Sequence, residues 1–155
     1  RDAAGDFWIV EEYGPSLLHV DGRTGAVLSK RMPGRGLPAV LAARAPNRGF
    51  EGVALAPGGH LFAALQSALD VDGETADTAL FSRLLELNPR TGCTHMFAVP
   101  VDRARYRKAQ DQKIGDLHAL DDETGVAAAP VMPAVLQVSV PRQVIPLRLQ
   151  RLEIG

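Results

Sequence analysis

The chain reads as an all-β, β-propeller-like protein of about three blades, each a four-stranded antiparallel sheet, forming part of a larger propeller. Two observations predict this. Short apolar runs are separated by turn signals at regular intervals, and the pattern repeats over tens of residues. The run Asp6-Phe7-Trp8-Ile9-Val10 is echoed by His60-Leu61-Phe62-Ala63-Ala64. Likewise Leu17-Leu18-His19-Val20-Asp21-Gly22-Arg23-Thr24-Gly25 is echoed by Leu84-Leu85-Glu86-Leu87-Asn88-Pro89-Arg90-Thr91-Gly92.

Taken in order, Phe7 to Val10 is a strand that ends in Glu11-Glu12-Tyr13-Gly14-Pro15. The run from Leu17 is a second strand, closed by an Arg-Thr-Gly turn whose glycine tolerates the positive φ of a tight hairpin. Ala26 to Ser29 starts the next strand, and Pro38 to Arg44 predicts a short turn of helix in a loop rich in glycine and proline. Phe50 to Leu55, before the turn Pro57-Gly58-Gly59, is a strand, as is Leu61 to Leu65. Asp70 to Thr78 is a polar surface insert, after which Leu84 to Leu87 and Cys93 to Val99 repeat the earlier strand–turn–strand. A third start follows at Lys113-Ile114-Gly115-Asp116-Leu117-His118-Ala119-Leu120, closed by Asp121-Asp122-Glu123-Thr124-Gly125. From Val126 the prolines Pro130, Pro133, Pro141 and Pro146 interrupt the apolar alternation. They demote strands such as Val135 to Val140 to sheet edges. Two regions are therefore expected, residues 1–125 as a partial propeller and 126–155 as an atypical proline-rich tail.

At 155 residues the chain is long enough to bury a core. With 46% hydrophobic but only 5% aromatic residues, aliphatic and alanine side chains must build it. A net charge of -1 gives no reason to expect nucleic acid or an anionic membrane as partner. No apolar run approaches the ~20 residues of a membrane-spanning helix, and the first residues do not resemble a signal peptide. Cys93 is the single cysteine, which excludes an internal disulfide and cysteine-based metal sites; it is expected to be a small buried hydrophobe.

The candidate site is acidic. Glu51 lies between Gly49 and Gly52, which cost stability unless the backbone needs them. It reads either as a ligand or catalytic group or as a turn acid capping nearby amides. Strand alternation sends Glu11 and Glu12 to opposite faces. Both are solvated acids, or one points inward and binds a cation. A hard cation such as calcium needs several oxygens, so Glu51, Asp116 and backbone carbonyls would converge with it. Arg48 and Lys113, each three residues before an acid, either hold a phosphate or carboxylate or form ordinary ion pairs. Gln66-Ser67 either contacts a ligand at the same rim or satisfies local backbone. Arg103, Arg105, Arg107 and Lys108 read as a solvated loop.

Other chemistries lack support. His19, His60, His95 and His118 show no pair at zinc-ligand spacing. Neither Ser16 nor Ser67 sits in a Gly-x-Ser-x-Gly elbow, and Pro33-Gly34-Arg35-Gly36 lacks the ending of a phosphate loop.

Five motifs occur in an order that resembles a known family. They are Trp8-Ile9-Val10-Glu11-Glu12-Tyr13-Gly14-Pro15, Leu37-Pro38-Ala39-Val40-Leu41-Ala42, Pro46-Asn47-Arg48-Gly49-Phe50-Glu51-Gly52-Val53-Ala54-Leu55, Leu65-Gln66-Ser67 and Lys113-Ile114-Gly115-Asp116-Leu117. Together they resemble the phytase-like family, described as "esterase-like activity of phytase", from about Asp6 to Leu120. The resemblance implies a β-propeller exported to the periplasm or secreted, with calcium-dependent hydrolysis of phosphate esters. It implies Glu51 and Glu12 as catalytic groups, and Arg48, Lys113, Gln66 and Tyr13 as substrate-binding residues. Glu11, Glu51 and Asp116 would be the metal ligands. A closed propeller needs at least about four blades, so a partial copy is expected. Two further functions stay open: a non-catalytic binding or scaffold module, and a lactonase-like propeller hydrolase.

Overall fold

A computed structural model describes the backbone of residues 1–121, 125–130, 145–146 and 150–152, with side chains through Ala119. The fold is all-β, and the described residues contain no α-helix. The first sheet has the order β1 (Phe7–Glu11), β2 (Ser16–Val20), β3 (Val27–Pro33) and β4 (Gly36–Leu37). The second is β5 (Phe50–Leu55), β6 (Leu61–Leu65), β7 (Phe81–Leu87) and β8 (Thr94–Pro100) in consecutive antiparallel order. The third joins β9 (Ile114–Asp121), β10 (Gly125–Pro130) and β11 (Ile145–Pro146). A last strand, β12 (Gln150–Leu152), pairs with β8 at the outer edge of the second sheet. Each sheet is open.

The repeat is structural. In the first turn, Asp21 Oδ1 accepts from the N–H groups of Arg23 and Thr24, Thr24 Oγ1 accepts from Ala26 N–H, and Gly25 has φ 75°. In the second, Asn88 Oδ1 accepts from Arg90 and Thr91, Thr91 Oγ1 accepts from Cys93, and Gly92 has φ 78°. The side-chain oxygen of Asp or Asn stands in for a turn carbonyl, which is why either residue serves. Hairpin β2–β3 is thus a copy of β7–β8.

The middle sheet carries most of the core. Every residue of β6 is buried. Leu61, Ala63 and Leu65 pack with Leu17, Leu37, Leu41 and Phe50, joining the first two sheets. Phe62 and Ala64, from the alternate positions, pack with Ile114 and Leu117 of β9. A strand buried on both faces loses the polar alternation of a half-exposed one, hence the continuous run Leu61-Phe62-Ala63-Ala64-Leu65. Aliphatic and alanine side chains dominate both clusters.

Local expectations are met with some differences. The short helix expected from Pro38 to Arg44 is a 3₁₀ turn at Ala39–Ala43. The insert after Leu69 organises itself: Asp70 Oδ1 accepts from Thr75 and Ala76 N–H, and Thr75 Oγ1 donates to the Leu69 carbonyl. Arg103, Arg105, Arg107 and Lys108 are exposed, and Lys108 pairs with Asp77 at 3.0 Å. Cys93 differs from expectation: it is exposed, because it belongs to the turn that precedes β8 and not to the inward face of a strand. Strand β10, which begins at Gly125, pairs with β9. The strand expected from Val135 to Val140 lies outside the described residues.

Candidate functional site

The first strands of the sheets meet, with β5 packed between β1 and β9. Two glycines make this possible. A Cβ on Gly49 would sit 2.3 Å from the Glu12 carbonyl oxygen, and one on Gly52 would sit 2.8 Å from the Leu117 nitrogen. Neither position has space for a side chain. The loop enters β5 through Asn47, at φ 57°, a left-handed conformation that asparagine tolerates.

Backbone hydrogen bonds then tie three sheets at one point. Gly49 N–H donates to the Glu12 carbonyl at 2.6 Å, Gln66 N–H donates to the Gly49 carbonyl at 2.9 Å, and Ile114 N–H donates to the Gln66 carbonyl at 2.9 Å. In β5, Phe50 faces Leu65 and Gly52 faces Ala64, so Glu51 is the extra residue of a β-bulge. A bulge takes a side chain out of the alternation and re-aims it. Glu51 is turned to the same point as Glu12.

What joins them is Gln66, only 5% exposed. Its Nε2 donates to Glu12 Oε1 at 2.9 Å and to Glu51 Oε2 at 3.0 Å, while its Oε1 accepts from Arg48 Nη1. Carboxylates only accept and guanidinium only donates, so this network fixes the orientation of the amide. Both its donors and its acceptor are in use. The carboxyl pKa of Glu51 is raised above its ordinary value. Burial is the main cause and the charge of Glu12 the second, opposed by the Gln66 hydrogen bond and by the charges of Arg48 and Lys113.

Sequence-predicted residues thus divide. Glu12, Arg48, Glu51 and Gln66 come together, and Lys113 acts on Glu51 through its charge. Glu11 faces the other way, its carboxylate accepting from Tyr13 and Gly14 N–H at 2.9 and 2.8 Å. Tyr13 is 73% exposed. With Glu11, Lys30 and Arg44 it lines a separate groove of about 450 Å³. Asp116 is exposed, and its Oδ1 accepts from Leu117 N–H. Among the described residues, Glu11, Glu51 and Asp116 form no group of three ligand atoms within 4.8 Å. A group of that kind does form elsewhere, from Asp2, Asp6 and His19, which sequence reasoning passed over. The signal for it was the hairpin register, which sets His19 opposite Trp8, two residues beyond Asp6.

The protein is therefore an all-β chain whose sheets converge on a pair of carboxylates held by a buried amide. It belongs to the phytase-like family, described as "Phytase-like: Esterase-like activity of phytase", which matches residues 1–128. No curated protein and no solved structure matches the chain.

Proposed function

We propose that the three sheets are successive blades of a β-propeller and that the Glu12–Glu51 site hydrolyses phosphate esters with calcium. The observation that carries this reading is the single Gln66 amide that gathers both carboxylates beside Arg48. The duplicated Arg-Thr-Gly turns and the adjacency of β1, β5 and β9 support the propeller.

The donor set fits a hard cation. Two carboxylates converge in a place where burial, and then the charge of Glu12, raise the pKa of Glu51, and a cation would offset both. Glu51 and Glu12 would hold it, with exposed Asp116 on β9, the strand packed against β5, as a further acid and Glu11 committed to its own turn. When bound, calcium supplies a Lewis acid to polarise a phosphoryl oxygen. The chain's own residues do the rest. Arg48 spends one of its donors on Gln66 and offers the others to an anionic ester, with Lys113 adding charge. Glu51, held beside Arg48 by the Gln66 amide, accepts the proton of the attacking water.

Phosphate release from an aryl phosphate, measured with and without calcium, tests the proposal. Glu51→Gln should lower kcat by about 10²-fold or more; calcium-dependent release left intact in that variant would sink it. The family's export would be checked by finding the native protein in the periplasmic or secreted fraction.

A second reading, a non-catalytic binding or scaffold module, is favoured by one observation: among the described residues, Glu11, Glu51 and Asp116 do not bring three ligand atoms within 4.8 Å of one another. It predicts no turnover of phosphate esters or lactones by the folded chain. Turnover of lactones alone would point to the lactonase-like alternative.

A further inference from the structure

Asp2, Asp6 and His19 converge at the other end of β1, six residues and about 20 Å of extended strand from Glu12. His19 Nε2 lies 3.2 Å from Asp2 Oδ2 and 3.4 Å from Asp6 Oδ2, and the three ligand atoms are all within 4.8 Å of one another. Two carboxylate oxygens thus approach one imidazole nitrogen. His19 hydrogen-bonds Asp2 at a distance longer than the about 2.7–2.9 Å of a charge-assisted pair, and one N–H cannot serve both carboxylates well. The spacing also matches the edge of a tetrahedron around a metal with bonds of about 2.0–2.1 Å, which is about 3.3 Å.

The surroundings hold each ligand in place. Asp2 Oδ1 accepts from Ala4 and Asp6 N–H, both at 3.0 Å, and Asp6 Oδ1 accepts from Gly22 N–H at 2.9 Å. The outer oxygen of each carboxylate is therefore tied down and the inner one is turned to His19. Trp8 stacks on the imidazole, with centroids 4.3 Å apart and planes within 6°, and its Nε1 donates to Asp2 Oδ2. Gly22 allows the two loops to meet: a Cβ there would sit 1.9 Å from the Gly5 carbonyl oxygen. Such outer contacts orient metal ligands and fix the imidazole ring. The three side chains keep 19–23% of their surface exposed, which leaves a fourth position to water.

We propose that Asp2, Asp6 and His19 form a binding site for a first-row divalent metal ion, of which zinc is the representative. One imidazole with two carboxylates suits zinc, whereas calcium takes an all-oxygen set of six to eight ligands. The site is independent of the calcium proposed at Glu12 and Glu51.

Trp8, the single tryptophan, reports on it directly. The tag-free, chelator-treated chain is titrated with zinc, following Trp8 emission and calorimetric heat. One zinc per chain is expected, with a change in Trp8 emission that millimolar calcium does not prevent. Asp6→Asn and His19→Gln should each weaken zinc at least tenfold, and Glu51→Gln should leave it unchanged. In the unsubstituted chain, NMR of the imidazole nitrogens keeps the test independent of variant folding. Zinc should shift His19 and leave His60, His95 and His118 in place. No heat and no Trp8 change at 100 µM zinc, or shifts confined to the other histidines, would overturn the proposal.

Discussion

Strand β1 carries an acidic cluster at each end, and the two are built in opposite ways. Asp2, Asp6 and His19 come from one hairpin and the loops beside it, held by nearby backbone N–H groups. Glu12 and Glu51 come from different sheets and are held by a side chain from a third strand, Gln66. Their electrostatics differ in sign as well. Burial works against the Asp2 charge, but hydrogen bonds from Asp6 and Ala4 N–H, then from Trp8 and His19, outweigh it and lower its pKa. For Glu51, burial and Glu12 prevail over Gln66, and the pKa is raised. Local backbone donors stabilise a carboxylate wherever the loop closes; a pair of carboxylates from separate sheets is tolerated only while tertiary packing enforces it.

The largest expected effect breaks the second cluster alone. Gly49→Ala drives a Cβ into the Glu12 carbonyl and should cost about 3 kcal/mol in urea unfolding. Because the obstacle is backbone, no side chain can move aside to relieve it. Next comes Gln66→Leu, which leaves both carboxylates without their shared donor. It should cost about 2 kcal/mol at pH 7. The loss should shrink toward pH 4, where the carboxylates take up protons; an equal loss at both values would show that repulsion is not the cause.

The pH dependence of the two clusters should be opposite. Glu51 has a folded pKa above its unfolded one, so the native state holds its proton more tightly. Stability should fall as pH rises from about 4.5 through the raised value, and ionised Glu51 remains a cost above it. Glu51→Gln should flatten this limb and raise the unfolding midpoint at pH 7. Asp2 has a folded pKa below 3.8, so its contribution is present above that value and lost as pH falls through the folded pKa. Asp2→Asn should lower the midpoint at pH 7 and weaken the acid limb. Variants whose pH profiles change in the same direction would contradict the contrast. The smallest effect is expected for Cys93→Ser, within about 0.5 kcal/mol, since the residue is exposed and touches neither cluster. Its thiol should react with iodoacetamide in the native protein.

Much of this was legible beforehand because it is local. The two Arg-Thr-Gly turns, with Asp21 or Asn88 accepting from the same positions, follow from hydrogen bonds that span five residues or fewer. Strand alternation predicts that Glu11 and Glu12 part, although Glu12 lies just past the end of β1 and is held by Gln66. Gly49 and Gly52 could be recognised as places where the backbone needs room. What they make room for, the Glu12 carbonyl and the β9 backbone, depends on strands far away in sequence.

By itself, then, the sequence determined the strand-and-turn pattern, the aliphatic core and the acids worth watching, because periodicity and turn chemistry act over a few residues. Only the tertiary structure decided which acids meet. The β5 bulge re-aims Glu51, buried Gln66 ties it to Glu12, and Glu11 is taken up by the N–H groups of its own turn. The same is true of Asp2, Asp6 and His19, whose spacing matches no motif until the hairpin closes. Convergence of side chains is a property of how sheets pack, and packing is settled by contacts between residues tens of positions apart.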